Sequence, residues 1–245
     1  MKPLDTPNLP KERVRTSLLQ AGIYAEALRK HGTEPLSPAP EPGLSDEERE
    51  HADLICCHGG GRDIFVSSAQ TALTEKLTAM GFNVRLCAAP EKDYPKNVGL
   101  NFAVGADFAL GRFLYADRLL RAFLQYRGKE LLDVKQGYAK CSLCFVTANA
   151  FITEDAGIAD ALRKTGHEAL RIAPGDVYLS EAHHGFFGGA AGLIAPDTLA
   201  VTGSLRTHRD GDRIRDFLIK HNVRPLELTD GRITDIGGIL PLTEE

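Results

Sequence analysis

The sequence predicts an α/β fold in which strand, helix and strand recur as a unit around a common axis. Three observations predict it. Four apolar, strand-like anchors, Ile64-Phe65-Val66, Phe108-Ala109-Leu110, Phe151-Ile152-Thr153 and Leu199-Ala200-Val201, lie 44, 43 and 48 residues apart, a period typical of repeat architectures. Each anchor is followed by a helix-like stretch, a turn and a second strand-like run. Glycines at Gly60, Gly99, Gly137, Gly189 and Gly238 mark five steps, one more than the four complete helical units.

The helix-like stretches are Ala69 to Met80, Tyr115 to Tyr126, Ala156 to Lys164 and Gly211 to His221. The last carries Ile214, Phe217 and Leu218 on one face. The turns Gly81-Phe82-Asn83, Arg127-Gly128-Lys129, Thr165-Gly166-His167 and His221-Asn222 suit a left-handed helix stop. The runs Val84-Arg85-Leu86, Glu130-Leu131-Leu132, Ala169 to Ile172 and Pro225 to Leu228 then read as strands. The first 50 residues read differently. Val14 to Lys30 has helical apolar spacing, and Pro35, Pro38, Pro40 and Pro42 make an extended link. Ser45-Asp46-Glu47-Glu48 reads as a helix start. The expected division is therefore an N-terminal helical arm with its Pro-rich link over 1–53 and the repeated domain over 54–245.

Composition bounds the function. In 245 residues, 43% hydrophobic and 25% charged with 24 Gly and 13 Pro, the chain is an ordinary globular mixture with room for a core. A net charge of −4 and an aromatic share of 7% without Trp argue against a nucleic-acid partner. No run of 18 apolar residues suggests a membrane span, and the first residues lack a signal-peptide core, so the expected location is cytoplasmic. Five cysteines, an odd number, fit reduced thiols. The expected partner is a small polar molecule; sequence leaves the oligomeric state open.

Several residues could carry chemistry. His183-His184-Gly185-Phe186-Phe187-Gly188-Gly189 places two imidazoles at a glycine-rich bend, with His184 preferred as general base or ligand clamp. His208 follows the anchor strand Leu199 to Thr202, where ligands collect in α/β units, although Asp210 or Asp212 also reads as a helix cap there. Cys141 and Cys144 have a metal-pair gap but read as a strand whose side chains face apart, leaving Cys141 as the candidate nucleophile. Cys56-Cys57-His58 fails as a metal set for the same reason. His58, Asn97, Gln136, His184 and Asp235 sit beside the glycine steps, and in matching modules they would form a polar ring; the plainer reading is that polar residues border turns. Phosphate-loop, dinucleotide and nucleophile-elbow patterns are all incomplete, so neither a cofactor nor a metal is expected.

With the repeat period and the five glycine steps, the run Asp235-Ile236-Gly237-Gly238-Ile239-Leu240-Pro241-Leu242-Thr243 resembles the closing segment of the pentein superfamily, the guanidine-modifying enzyme fold. More narrowly, Lys135 to Ser142, Gly185 to Gly192 and this closing run resemble an uncharacterised bacterial family of that fold. The resemblance implies an α/β propeller of ββαβ modules around a central pore. It also implies a C-terminal nucleophilic Cys, yet that position falls on Leu242, beside Pro241, and no Cys follows Cys144. A Leu cannot form the covalent intermediate. Three functions stay open: recognition of a small polar or guanidino-type ligand at the pore through His184, His208, Asp235 and Asn97, hydrolysis of a C–N bond by Cys141 or water with His184, and a non-catalytic adaptor role.

Overall fold

The computed structural model describes all 245 residues, Met1–Glu245. In chain order the elements are β1 (Lys2–Pro3), β2 (Val14–Leu18), α1 (Ala25–Lys30), β3 (Glu34–Leu36), α2 (Ala52–Ile55), β4 (Cys56–Gly60), β5 (Asp63–Ser67), α3 (Thr71–Ala79), β6 (Asn83–Cys87), β7 (Ala103–Val104) and β8 (Phe108–Gly111). They continue as α4 (Arg118–Tyr126), β9 (Glu130–Asp133), β10 (Leu143–Phe145), β11 (Ala150–Thr153), α5 (Ala156–Lys164), β12 (Glu168–Arg171), β13 (Ala191–Ala195), β14 (Thr198–Val201), α6 (Gly211–Lys220), β15 (Arg224–Glu227) and β16 (Leu240–Glu244).

Four contiguous modules share one plan. A strand pairs antiparallel with the anchor strand, the chain crosses over through a helix, and the third strand returns parallel: β4-β5-β6, β7-β8-β9, β10-β11-β12 and β13-β14-β15. The fifth module is assembled from the two ends of the chain. β16 pairs antiparallel with β2, α1 follows, and β3 returns parallel to β2, with β1 added at the outer edge. This corrects the reading of residues 1–53 as a helical arm and link. Val14–Leu18 is a strand, buried on both faces, whose apolar residues Val14 and Leu18 stand four apart and so imitate helical spacing over so short a run. Pro35 lies inside β3, and residues 46–50 form turns ahead of the four-residue helix α2 rather than a helix themselves.

The anchor strands read as continuous apolar runs because both of their faces are buried. Ile64 and Val66 point to one neighbouring module while Phe65 points to the other; Phe108 and Leu110 oppose Ala109, and Leu199 and Val201 oppose Ala200. The apolar core is accordingly divided into five clusters, one between each pair of adjacent modules. The fifth cluster, with Val14, Leu19 and Leu28 against Ile194, Ala200 and Leu228, joins the terminal module to the β13-β14-β15 module and closes the ring. Buried Glu244 at the end of β16 ties the N-terminal segment down, accepting from the Lys11 and Glu12 amides at 2.7 and 3.0 Å.

The helix stops agree with their expected chemistry. Gly81, Gly128, Gly166 and Asn222 have φ of +88°, +66°, +84° and +57° after α3 to α6. Gly32, at +83° after α1, is the fifth member of the set. Asp117 and Asp155 cap α4 and α5.

Two stability outcomes follow. Leu18 is fully buried on β2, where it pairs with the closing strand β16, so Leu18→Ala should cost about 2–5 kcal/mol in urea unfolding. A Cβ at Gly81 or Gly166 meets no atom within 4 Å, so Ala there should cost about 1 kcal/mol through backbone strain alone, whereas Asn222→Gly should be nearly neutral.

Candidate functional site

At one end of the ring four segments surround a cavity of 440 Å³: the turns before α2, the turn before β10, the loop after β12, and the approach to β16. The loop folds back on itself. Tyr178 bridges to His184 and to Thr234, and the Ser180 hydroxyl accepts from the Ala182 and His183 amides. Its glycines answer to packing rather than mobility. A Cβ at Gly185 would stand 2.3 Å from the Asp235 Cβ, one at Gly189 would stand 2.1 Å from Asp235 Oδ1, and one at Gly188 would meet the Leu143 carbonyl carbon at 2.5 Å. Asp235 is thereby drawn under the loop, where it accepts from the Phe186 amide at 2.8 Å and the Gly237 amide at 3.0 Å.

The cavity is acidic and aromatic. Asp46, Glu47, Glu48 and Asp235 line it with Tyr138 and Phe186, and neither Lys nor Arg does. Three imidazoles, His51, His183 and His184, share the lining. Tyr138 lies between two rings, stacked with Phe186 at 6.3 Å and with Tyr94 at 6.0 Å. Burial, with Glu48 alongside, pushes the Tyr138 phenol upward. At the mouth, His183 Nδ1 sits 3.0 Å from Glu47 Oε2, tying the loop to the turns before α2.

Beneath the cavity lies a buried polar floor. Asn101 organises it: Nδ2 donates to the Asp53 carbonyl at 3.2 Å and to Cys141 Sγ at 3.1 Å, while Oδ1 accepts from the Lys140 amide at 2.7 Å. His51 Nδ1 approaches Asp235 Oδ1 to 3.9 Å. Both carboxylate oxygens of buried Asp53 lack a hydrogen-bond partner, and burial raises its pKa. Burial, followed by the nearby Asp53 and Asp235 charges, pushes the Cys141 thiol well up. Glu154 accepts from the Phe187 amide at 2.7 Å, and burial lifts its carboxyl to about 8.

The candidates named from sequence are divided by the fold. His184, Cys141 and Asp235 line the cavity. Asn97 reaches it indirectly, donating to the Tyr138 hydroxyl at 2.6 Å, and Gln136 binds the Tyr138 amide and Asp155 instead of facing the pore. His58 lies apart, against the Gly61 carbonyl and the Phe82 ring, where burial holds it neutral with a pKa lowered to about 4. His208 is buried behind the loop, accepting from the Asp210 amide and edge-on to Phe187. The five polar residues therefore do not form one ring. Asp210 is not a side-chain cap; its carboxylate accepts from the Ala173 amide and pairs with Arg213. Cys141 precedes β10 in a turn, so the strand-face argument against it does not apply. Leu242, at the position the resemblance implies for a nucleophile, is fully buried among aliphatic side chains.

Sequence reasoning missed His51, Asp53, Asn101, Tyr138 and Glu154. The one signal was local: Asn101 flanks a glycine step, and Glu154 directly follows an anchor strand.

All five thiols are buried, with raised pKa values, about 12 for Cys57 and Cys144. Iodoacetamide at pH 7 should therefore label the native protein at least about tenfold more slowly than a free thiol, by mass spectrometry. Rapid labelling of Cys141 alone would mean a stabilised thiolate. Glu154 gives a second outcome. Its folded pKa exceeds the unfolded one, so its contribution is fully present below about pH 4.5 and is lost as pH rises to about 8. Between pH 7 and 8.5 urea unfolding should show a loss of about 1 kcal/mol that Glu154→Gln abolishes.

Solved structures that cover nearly the whole chain include an inosamine-phosphate amidinotransferase from Streptomyces griseus, at TM-score 0.59 and 13% identity over 96% of this chain and 95% of the other. The agmatine deiminase of C. jejuni matches at TM-score 0.56 and 11% identity over 93% of both chains. DDAH from Pseudomonas aeruginosa, solved with citrulline, matches at 0.51 and 11% over 94% of this chain and all of the other. No curated protein matches by sequence. At such identities the likeness establishes the fold, that of the pentein superfamily. The sequence model of a family of unknown function, DUF6873, matches residues 21–240, and the chain belongs to that family.

Proposed function

We propose that the protein binds a small guanidino-type cation in the acidic cavity. One observation carries the reading: four carboxylates and two aromatic faces converge on a 440 Å³ space that no Lys or Arg lines. A guanidinium is planar, donates in pairs to carboxylates and stacks on aromatic rings, so each wall has a matching feature in the ligand. The names of the neighbours, an amidinotransferase and an agmatine deiminase, support the same ligand class. An adaptor role is less well supported, because it has no use for an open, charged cavity.

A second reading, C–N bond hydrolysis, is favoured by the presence of Cys141 and His184 in the lining of one cavity. The raised thiol disfavours Cys141 as nucleophile at neutral pH. The water route is the better version. Water attacks the amidine carbon, His184 takes its proton, and the C–N bond breaks as the leaving nitrogen receives a proton.

Calorimetric titration with agmatine and methylguanidine tests both readings. Binding is expected, and Glu48→Gln and Asp235→Asn should each weaken it about tenfold, the cost of one charge-assisted contact. Failure of every guanidine to bind would overturn the first reading. Ammonia released from agmatine, and lost in His184→Ala, would establish the second.

A further inference from the structure

Next to the acidic cavity lies an annex of 300 Å³ between the approach to α1 and the approach to β16. The two spaces share Glu47, Leu179 and Asp235, so these three side chains form the neck between them. The annex differs in character. Ile23, Leu179 and Ile236 give it an apolar wall, Gln20, Tyr24 and Thr234 carry neutral polar groups, and no Lys, Arg or His lines it. Of the arginines that flank the two spaces in sequence, Arg49 pairs with Asp46 at 3.4 Å and Arg232 stacks on the Tyr178 ring at 3.8 Å.

From this we infer that the ligand is an elongated, carboxylate-free cation whose guanidino head occupies the acidic cavity and whose alkyl tail passes Leu179 into the annex. The inference rests on the cation-binding reading above and narrows its ligand class. An α-carboxylate carried on the tail would meet Glu47 and Asp235 at the neck and find no cation beyond them, so a free amino acid is a poor fit. An alkyl chain exchanges water for Ile23, Leu179 and Ile236 and gains with each methylene.

The test is a titration of the full-length protein with methylguanidine, hexylguanidine, agmatine and arginine. Hexylguanidine should bind at least about tenfold more tightly than methylguanidine, by burial of its methylenes. Agmatine should exceed arginine by about tenfold or more, since the two differ only in the carboxylate. Leu179→Trp, which fills the neck, should erase the hexyl advantage. Ile23→Ser, at an exposed position where folding is not at stake, should reduce it without touching the head site. Methylguanidine binding with no gain from the hexyl chain, or arginine binding as tightly as agmatine, would overturn the inference and leave the cation reading standing. Binding of none of the four at millimolar concentration would overturn that reading and this inference together.

Discussion

The pairing of β16 with β2 is the contact on which the rest of the molecule depends. Each module is a three-stranded sheet with a single helix, too small to bury its own apolar faces, and every anchor strand sends alternate side chains to two different neighbours. Such an arrangement leaves no face exposed only when the series closes on itself. Closure requires the last strand of the chain to meet a strand near its beginning, and the cluster around Leu19, Leu28, Ala200 and Ile239 is the seam.

Closure also builds the site. The approach to β16 carries Asp235 beneath the loop of the neighbouring module, where Gly185 and Gly189 leave the space that a Cβ at either position would take from it. The polar floor then spans modules far apart in sequence: Asp53, Asn101, Cys141 and Asp235 meet although more than 180 residues separate the first from the last. Both Asp53 oxygens lack a hydrogen-bond partner there, so the floor carries a desolvation cost that the packing of the closed ring has to offset.

The closing strand itself supplies no nucleophile. Pro241 and Leu242 stand where the resemblance implied a thiol, and the available thiol, Cys141, lies in another module with Asn101 as its donor and carboxylates nearby that oppose ionisation. The fold is therefore that of the superfamily, without a thiol on its closing strand.

The apolar runs of the anchor strands, the helices behind them and the left-handed stops at Gly81, Gly128, Gly166 and Asn222 were legible in the sequence, because each is set by local sterics and by apolar patterning over a few residues. His184, Cys141 and Asp235 were also recognisable as candidates from their neighbours. Their company was not. Val14–Leu18 is a strand only because β16 and β3 flank it, and its residues alone carry an ambiguous pattern. His58 and His208 had local credentials equal to those of His184, yet ring packing turned them into separate buried corners. Sequence by itself determined the units and their order, which depend on short-range geometry; which side chains share a cavity was decided only by tertiary structure, because closure of the ring sets distances between residues that no spacing along the chain encodes.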